Sequence, residues 1–383
     1  MNLSHSEDQL ALQDSLRRFL ARDYGFEQRR RIAADEPGFS RAAWATYAEL
    51  GLLALPFAEE LGGLGGRTVD AALIAQTLGA HLALEPFVPA VVLAGGLLRD
   101  LGSQAQREAH LAPLMAGEQI LTLAHHEAGS RYADSYVATT AARQGDGWVL
   151  DGHKTMVLAA AAADVLVVSA RTAGGVREAQ GISLFLVPRE AAGVSLQAYV
   201  NHDATRAADV TLQGVAVPDG ARLGGAGEED QALPALERVL DQARAVLCAE
   251  AVGIMAALND ATLEYLKTRK QFGVVIGTFQ ALKHRMAEMA MAAEQARSMA
   301  LLAAVKADAA DAVQRRRAVS AAKAYVGQQA RFVGQQAVQL HGGMGVTDEL
   351  IVSHHFKRLT LINASLGDAD HHLGRFSELL LAA

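Results

Sequence analysis

From Ser4 to about Gly117 apolar residues return every three or four positions. Leu10, Leu12, Leu16, Phe19 and Leu20 set the pattern, which predicts amphipathic helices. Gly51-Leu52-Leu53, Pro56 and the run Gly62-Gly63-Leu64-Gly65-Gly66 interrupt it, a composition suited to a tight connection. Between about 121 and 225 the period falls to two, through Val149, Thr155, Val165 to Val168, Ile182-Leu184-Leu186 and Val210-Leu212-Val215. Gly145-Asp146-Gly147 before Trp148 signals a hairpin turn within this region. A linker rich in glycine and acid, Gly224 to Asp230, follows, and helical periodicity returns from Ala235 almost to the end. The pattern predicts an N-terminal helical domain over 1–120, a small antiparallel β domain over 121–230 and a C-terminal helical domain over 231–383.

Composition narrows the function classes. At 383 residues and 51% apolar content the chain is globular and has room for two or three domains. Abundant alanine with only 5% aromatics fits long, close-packed helices. A net charge of −7 and the lack of a basic run interleaved with aromatics argue against nucleic acid; Arg315-Arg316-Arg317 reads as a solvated helix turn. No uninterrupted apolar run approaches ~20 residues, so no membrane span is expected. Acidic Glu7 and Asp8 lie near the start without a signal-peptide core, and the single Cys248 has no internal disulfide partner. These features suit a cytoplasmic protein.

Two segments carry the candidate chemistry. Arg269-Lys270-Gln271-Phe272-Gly273 and Gln339-Leu340-His341-Gly342-Gly343-Met344-Gly345 each end helical sequence in glycine, where backbone amides and polar side chains can meet an anion. Together they resemble the C-terminal signature of the acyl-CoA dehydrogenase family, and the order helices, sheet, helices is similar to that family along the whole chain. The resemblance implies an FAD enzyme, assembled as a homo-oligomer or a hetero-oligomer with a related subunit. These two elements of one subunit would reach the FAD of its neighbour, with Arg269, Gln271, Phe272, Gln339, Gly342 and Gly343 as cofactor contacts. It also implies an acyl-CoA substrate and electron-transfer flavoprotein, or a similar acceptor, as partner. Asp241 and Arg244 match an Asp and Arg that bind the nucleotide portion of CoA, although an acid and a base three residues apart also make a simple surface pair.

The chain departs from the family where a base is needed. Many members place a glutamate before a glycine near the C-terminus, and here that dipeptide is Leu366-Gly367; the alternative glutamate position is Ala243. Asp368 is a displaced candidate that equally suits a helix cap. Glu250, costly to bury unpaired, has either a partner or a catalytic function. In the β region the family's flavin-ring loop reads His126-Glu127-Ala128-Gly129-Ser130, and its Trp-Ile-Thr strand reads Met156-Val157-Leu158. His126 and Met156 therefore stand at ring positions without the tryptophan or the hydroxyl. The pattern fits an α,β-dehydrogenase of an acyl-CoA, or a non-catalytic partner subunit that completes a neighbour's FAD site. A flavin monooxygenase of the same fold is a further reading.

Overall fold

The computed structural model describes residues 6–224 and 232–382. Ser6 opens α1 (Glu7–Asp23) with a capping box, its hydroxyl accepting the Gln9 N–H while the Gln9 side chain accepts the Ser6 N–H. α2 (Phe26–Ala34), α3 (Arg41–Glu49) and α4 (Thr68–Ala80) follow. The apolar stretch after Pro86 forms a widened, π-type helical segment at Phe87–Gly95, continued by α5 (Gly96–Leu101), α6 (Gln104–Gln106) and α7 (Ala112–Met115). The glycine run at 62–66 is a tight connection: Gly63, Gly65 and Gly66 donate their N–H groups to Ala58, Phe57 and Leu55. A Cβ on Gly63 would sit 2.2 Å from the Phe57 carbonyl oxygen.

Seven strands build one sheet: β1 (Leu121–Ala124), β2 (Thr140–Gln144), β3 (Gly147–Leu158), β4 (Val165–Arg171), β5 (Ile182–Pro188), β6 (Val194–Val200) and β7 (Arg206–Pro218). The order is β1-β4-β2-β3-β7-β6, with β5 also paired to β4. Gly145-Asp146 is the two-residue loop of the β2–β3 hairpin, with Gly145 at φ +58. The sheet is mixed, not purely antiparallel, because β1 and β4 run parallel in register Leu121 to Val165. β4 is buried along its whole length, which explains its continuous apolar sequence. The β3–β7 ladder slips between Lys154 and Val157, a bulge that sends Lys154 inward and leaves Met156 exposed with φ +54.

The remaining chain is α8 (Ala232–Thr268), the short pair β8 (Lys270–Gln271) and β9 (Val274–Val275), then α9 (Gln280–Lys306), α10 (Ala312–His341), α11 (Ile351–Ala364) and α12 (Ala369–Leu381). From residue 225 onward, the expected 224–230 linker lies outside the described residues. Contrary to the expectation from uninterrupted apolar runs, α8 is long and apolar enough to cross a membrane by length and composition, but 67% of its most apolar stretch is buried inside the protein. Arg315 is also a correction: it is 4% exposed and donates to the Ala309 carbonyl, so the triple-arginine run is not a solvated turn.

Contacts divide the chain into two compact units. One comprises Ile32–Arg67 and Leu84–Ala243, and contains the sheet. The other comprises Met1–Arg31, Thr68–Ala83 and Arg244–Ala383. Within the latter, Ala72, Ala249 and Ala304 bring α4, α8 and α9 together in a small-residue core. A Cβ on Gly253 would strike the Gln76 carbonyl and one on Gly79 the Glu250 carbonyl, so the α4 and α8 backbones approach as only glycine allows.

Two buried histidines in this unit make the fold sensitive to acid. His355 donates from Nε2 to the Ala80 carbonyl and its Nδ1 has no partner; burial pushes its pKa from 6.5 to about 4. His372 donates to the Leu366 carbonyl, and burial pushes its pKa to about 2. The unfolded chain takes up these protons near pH 6.5 and the folded chain does not, so stability falls as pH drops below 6.5 and keeps falling to about 4. His355 alone contributes roughly 3 kcal/mol of that loss. Urea midpoints at pH 7 and pH 5 should show a clear decrease, and His355→Gln should flatten it.

Candidate active site

Arg269 follows the C-terminus of α8 and Gly342 follows that of α10. Tyr265, one turn before Arg269, and His341, the residue before Gly342, lie with ring centroids 4.4 Å apart, so the two candidate segments come together. Both lie at the carbonyl ends of helices, where the dipole repels anions, and the Gly342 N–H is already donated to the Gln339 carbonyl. Attraction for a phosphate therefore rests on the Arg269 side chain, contrary to the expectation that backbone amides at these ends would hold it.

The rest of this surface is outward-facing. Arg269, Gln271, Gln339, Gly342 and Gly343 are exposed, and the Arg269 guanidinium has no partner among the described residues. Phe272-Gly273 forms the two-residue turn between β8 and β9, with φ +54 and +80, the signs of a type I′ hairpin. An aromatic residue in the left-handed region is unusual and strained. Phe272 is nonetheless 90% exposed, touching only the edge of Phe279 at 6.2 Å between centroids. Gly342 has φ +61, and a Cβ on Gly342 or Gly343 would meet nothing within 4 Å. A free guanidinium, two carboxamides, a projecting ring and open space above two glycines suit a diphosphate cofactor with a flat ring system.

The turn between α11 and α12 is built differently. Leu366 holds φ +55 and Gly367 φ +106, and three buried side chains converge on the turn's carbonyls. Lys323 donates to Ile362 at 2.9 Å, Asn363 at 3.0 Å and Gly367 at 2.8 Å; Arg244 Nε and His372 Nε2 both donate to Leu366. Burial pushes the Lys323 ammonium down to about 8. Asp368 accepts the His371 N–H at 2.8 Å and so caps α12. Arg244 and Asp241 are 1% and 0% exposed, so they are no surface pair, and Arg244 is committed to holding this turn. Glu250 has its partner: Arg358 Nε and Nη2 reach its two oxygens at 2.6 and 2.9 Å.

In the sheet unit, the 125–130 loop is bound to β3. Thr155 donates its N–H to the His126 carbonyl at 2.8 Å. Fully buried Lys154 reaches Glu127 Oε1 at 2.6 Å, the Ser169 hydroxyl at 3.0 Å and the His125 carbonyl at 3.5 Å. Glu127 in turn accepts the Ala138 and Thr139 N–H groups and the Thr139 hydroxyl. Burial lowers the Lys154 pKa to about 8. The Glu127 carboxyl stays below its usual range, because Lys154 and the backbone donors outweigh the opposing effect of burial.

Comparison with known proteins decides the family. The chain matches the N-terminal, middle and C-terminal domains of acyl-CoA dehydrogenase over residues 6–118, 121–215 and 233–379. It belongs to the acyl-CoA dehydrogenase family. A probable acyl-CoA dehydrogenase of Bacillus subtilis, YngJ, is 31% identical over 342 residues, covering 88% of this chain and 89% of that protein. Among solved structures, a steroid acyl-CoA dehydrogenase variant described as Tcur3481-Tcur3483 aligns with a TM-score of 0.87 at 29% identity, over 98% of both chains. The ChsE4-ChsE5 complex from Mycobacterium tuberculosis aligns with a TM-score of 0.88 at 26% identity, over the full length of both. Acyl-CoA dehydrogenases are oxidoreductases that act on CH–CH groups and use FAD. The Lys323 clamp, the Glu127–Lys154 pair and the Tyr265–His341 contact were invisible in the sequence, because no local pattern links residues 27 to 76 positions apart.

Proposed function

We propose that this chain is one subunit of a heteromeric, FAD-dependent enzyme that desaturates an acyl-CoA thioester between Cα and Cβ. Its part is to complete the cofactor site of a related neighbouring subunit. The observation that carries this reading is an asymmetry. The segments that would serve another chain's cofactor are joined and outward-facing, while the turn that would present a base carries Leu366 and is held by three internal donors. Likeness to the ChsE4-ChsE5 complex supports the same reading.

FAD, when bound, supplies the hydride acceptor for the Cβ hydrogen. Arg269 would neutralise its pyrophosphate, a role for which a guanidinium fork is well shaped. Gln271 and Gln339 would offer donors and acceptors beside it, Phe272 would pack on a flat ring, and Gly342 and Gly343 would leave room for close approach. The Cα proton must go to a carboxylate, which Leu366 cannot supply and which Asp368 and Glu250 have committed elsewhere. The base therefore belongs to the neighbour. The acceptor of the electrons would be electron-transfer flavoprotein or a similar carrier. With one cysteine, which cannot form an internal disulfide, the chain suits a reducing compartment such as the cytoplasm.

Asp368→Asn tests the assignment of the base. The amide oxygen still caps α12, so dehydrogenation by the complex should stay within about twofold of wild type. Were Asp368 the base, the rate should fall by ~10²- to 10⁴-fold.

A further inference from the structure

α1, α4, α8 and α9 line a cavity of about 230 Å³ within one of the two compact units, beside the Ala72–Ala249–Ala304 core. Gly79 and Gly253 draw α4 and α8 together, but the alanines at 249, 300 and 304 carry too little volume to fill the space between these helices and α9. Val69, Leu73, Val252 and Leu301 give the cavity apolar walls. Protein interiors are close-packed, with few voids larger than one water, so a lined cavity of this size is a candidate binding site. None of its residues belongs to the glycine-ended segments or to the Leu366 turn.

Four polar side chains complete the lining: Gln13 and Arg17, one turn apart on α1, Gln76 on α4 and Arg297 on α9. Gln13 is only 8% exposed; its Nε2 donates to Thr77 Oγ1 at 3.2 Å, and its Oε1 accepts no bond among the described residues. The Gln76 carboxamide and the Arg17 guanidinium make no hydrogen bond among the described residues. The ion-pair contact of Arg17 is Asp14 Oδ1 at 3.7 Å, beyond hydrogen-bond distance. Arg297 pairs with Glu294 on its own helix, an exposed pair of a kind that is weakly held. Burial, and after it the Arg17 charge, hold the His81 imidazole below its usual range, so the field around Arg17 is positive. Open guanidinium donors beside a carboxamide recognise a carboxylate, and the apolar walls recognise a hydrocarbon. At water's share of ~30 Å³, the volume holds roughly eight small groups, too few for a nucleotide-bearing thioester. We propose that this cavity binds a medium-chain monocarboxylate, with its chain on the apolar walls and its head between Arg17 and Gln76. The site is separate from the desaturation proposed above and does not rest on it.

The test is isothermal titration calorimetry of the full chain with sodium octanoate, using acetate and octanol as controls. Octanoate should bind one per chain. Both controls should bind more weakly by about tenfold or more, because acetate lacks the chain and octanol lacks the charge. Arg17→Ala should weaken octanoate by about tenfold or more, the loss expected for a charge-assisted hydrogen bond. Gln76→Glu should weaken it as much, since it gives Arg17 an internal carboxylate and sets a like charge against the head of the ligand. Its urea midpoint should equal or exceed that of wild type, so this variant decides the question should Arg17→Ala fold poorly. No octanoate binding, octanol binding as tightly as octanoate, or an affinity unchanged in Gln76→Glu would each overturn the inference. The readout needs neither flavin nor partner, so its failure leaves the proposed desaturation untouched.

Discussion

Arg269→Ala in this chain should weaken FAD binding to the complex by roughly 10- to 100-fold while leaving its fold intact. The guanidinium is exposed and has no partner among the described residues, so its removal strands no internal group. Its loss should instead be felt by a cofactor. A charge-assisted hydrogen bond is worth ~1.5–3 kcal/mol, and 1.4 kcal/mol is about a factor of ten in affinity. Arg269→Lys keeps the charge but not the planar fork, and should recover only part of the affinity. Raising ionic strength should narrow the gap between wild type and the alanine variant, because an exposed charge contact is screened by salt. Equilibrium dialysis of the complex against FAD at two salt concentrations measures both effects.

Glu250→Ala should cost the fold ~3–5 kcal/mol. Glu250 and Arg358 are 9% and 17% exposed at their side chains, and two short bonds join them in a fork. Removing the carboxylate takes from a largely buried guanidinium the two bonds and the charge that Glu250 supplies. Because a domain's net stability is only ~5–15 kcal/mol, such a loss should appear as a large fall in the urea midpoint and in expression yield. Glu250→Met combined with Arg358→Leu removes both charges at similar volume, and should recover most of the lost stability. A catalytic Glu250 would behave in the opposite way, with stability rising or unchanged on substitution and activity lost in both variants.

The sequence was most readable where the determining contacts are local. Gly145-Asp146 between β2 and β3 and the switch in period near residue 121 both act within a few residues, and both appear in the structure where the pattern placed them. Burial of charge was not readable. Arg244 and Arg315 carry the residue types of exposed helix faces, yet they donate to carbonyls of Leu366 and Ala309. Strand direction was not readable either: β1 meets β4 in parallel because of a pairing 44 residues away. The site divided the same way. The two glycine-ended motifs were visible as strings, whereas the Tyr265–His341 contact that joins them and the Lys323 clamp on the Leu366 turn exist only in three dimensions.

The most direct measurement is anaerobic titration with an acyl-CoA thioester, following bleaching of the flavin band for this chain alone and for its complex with the related subunit. Bleaching by the complex, none by the lone chain supplied with FAD, and none by a complex in which the neighbour's base is removed is the result predicted for a subunit that completes another's site. Full bleaching by the lone chain would contradict it, and would place a working base among this chain's own residues.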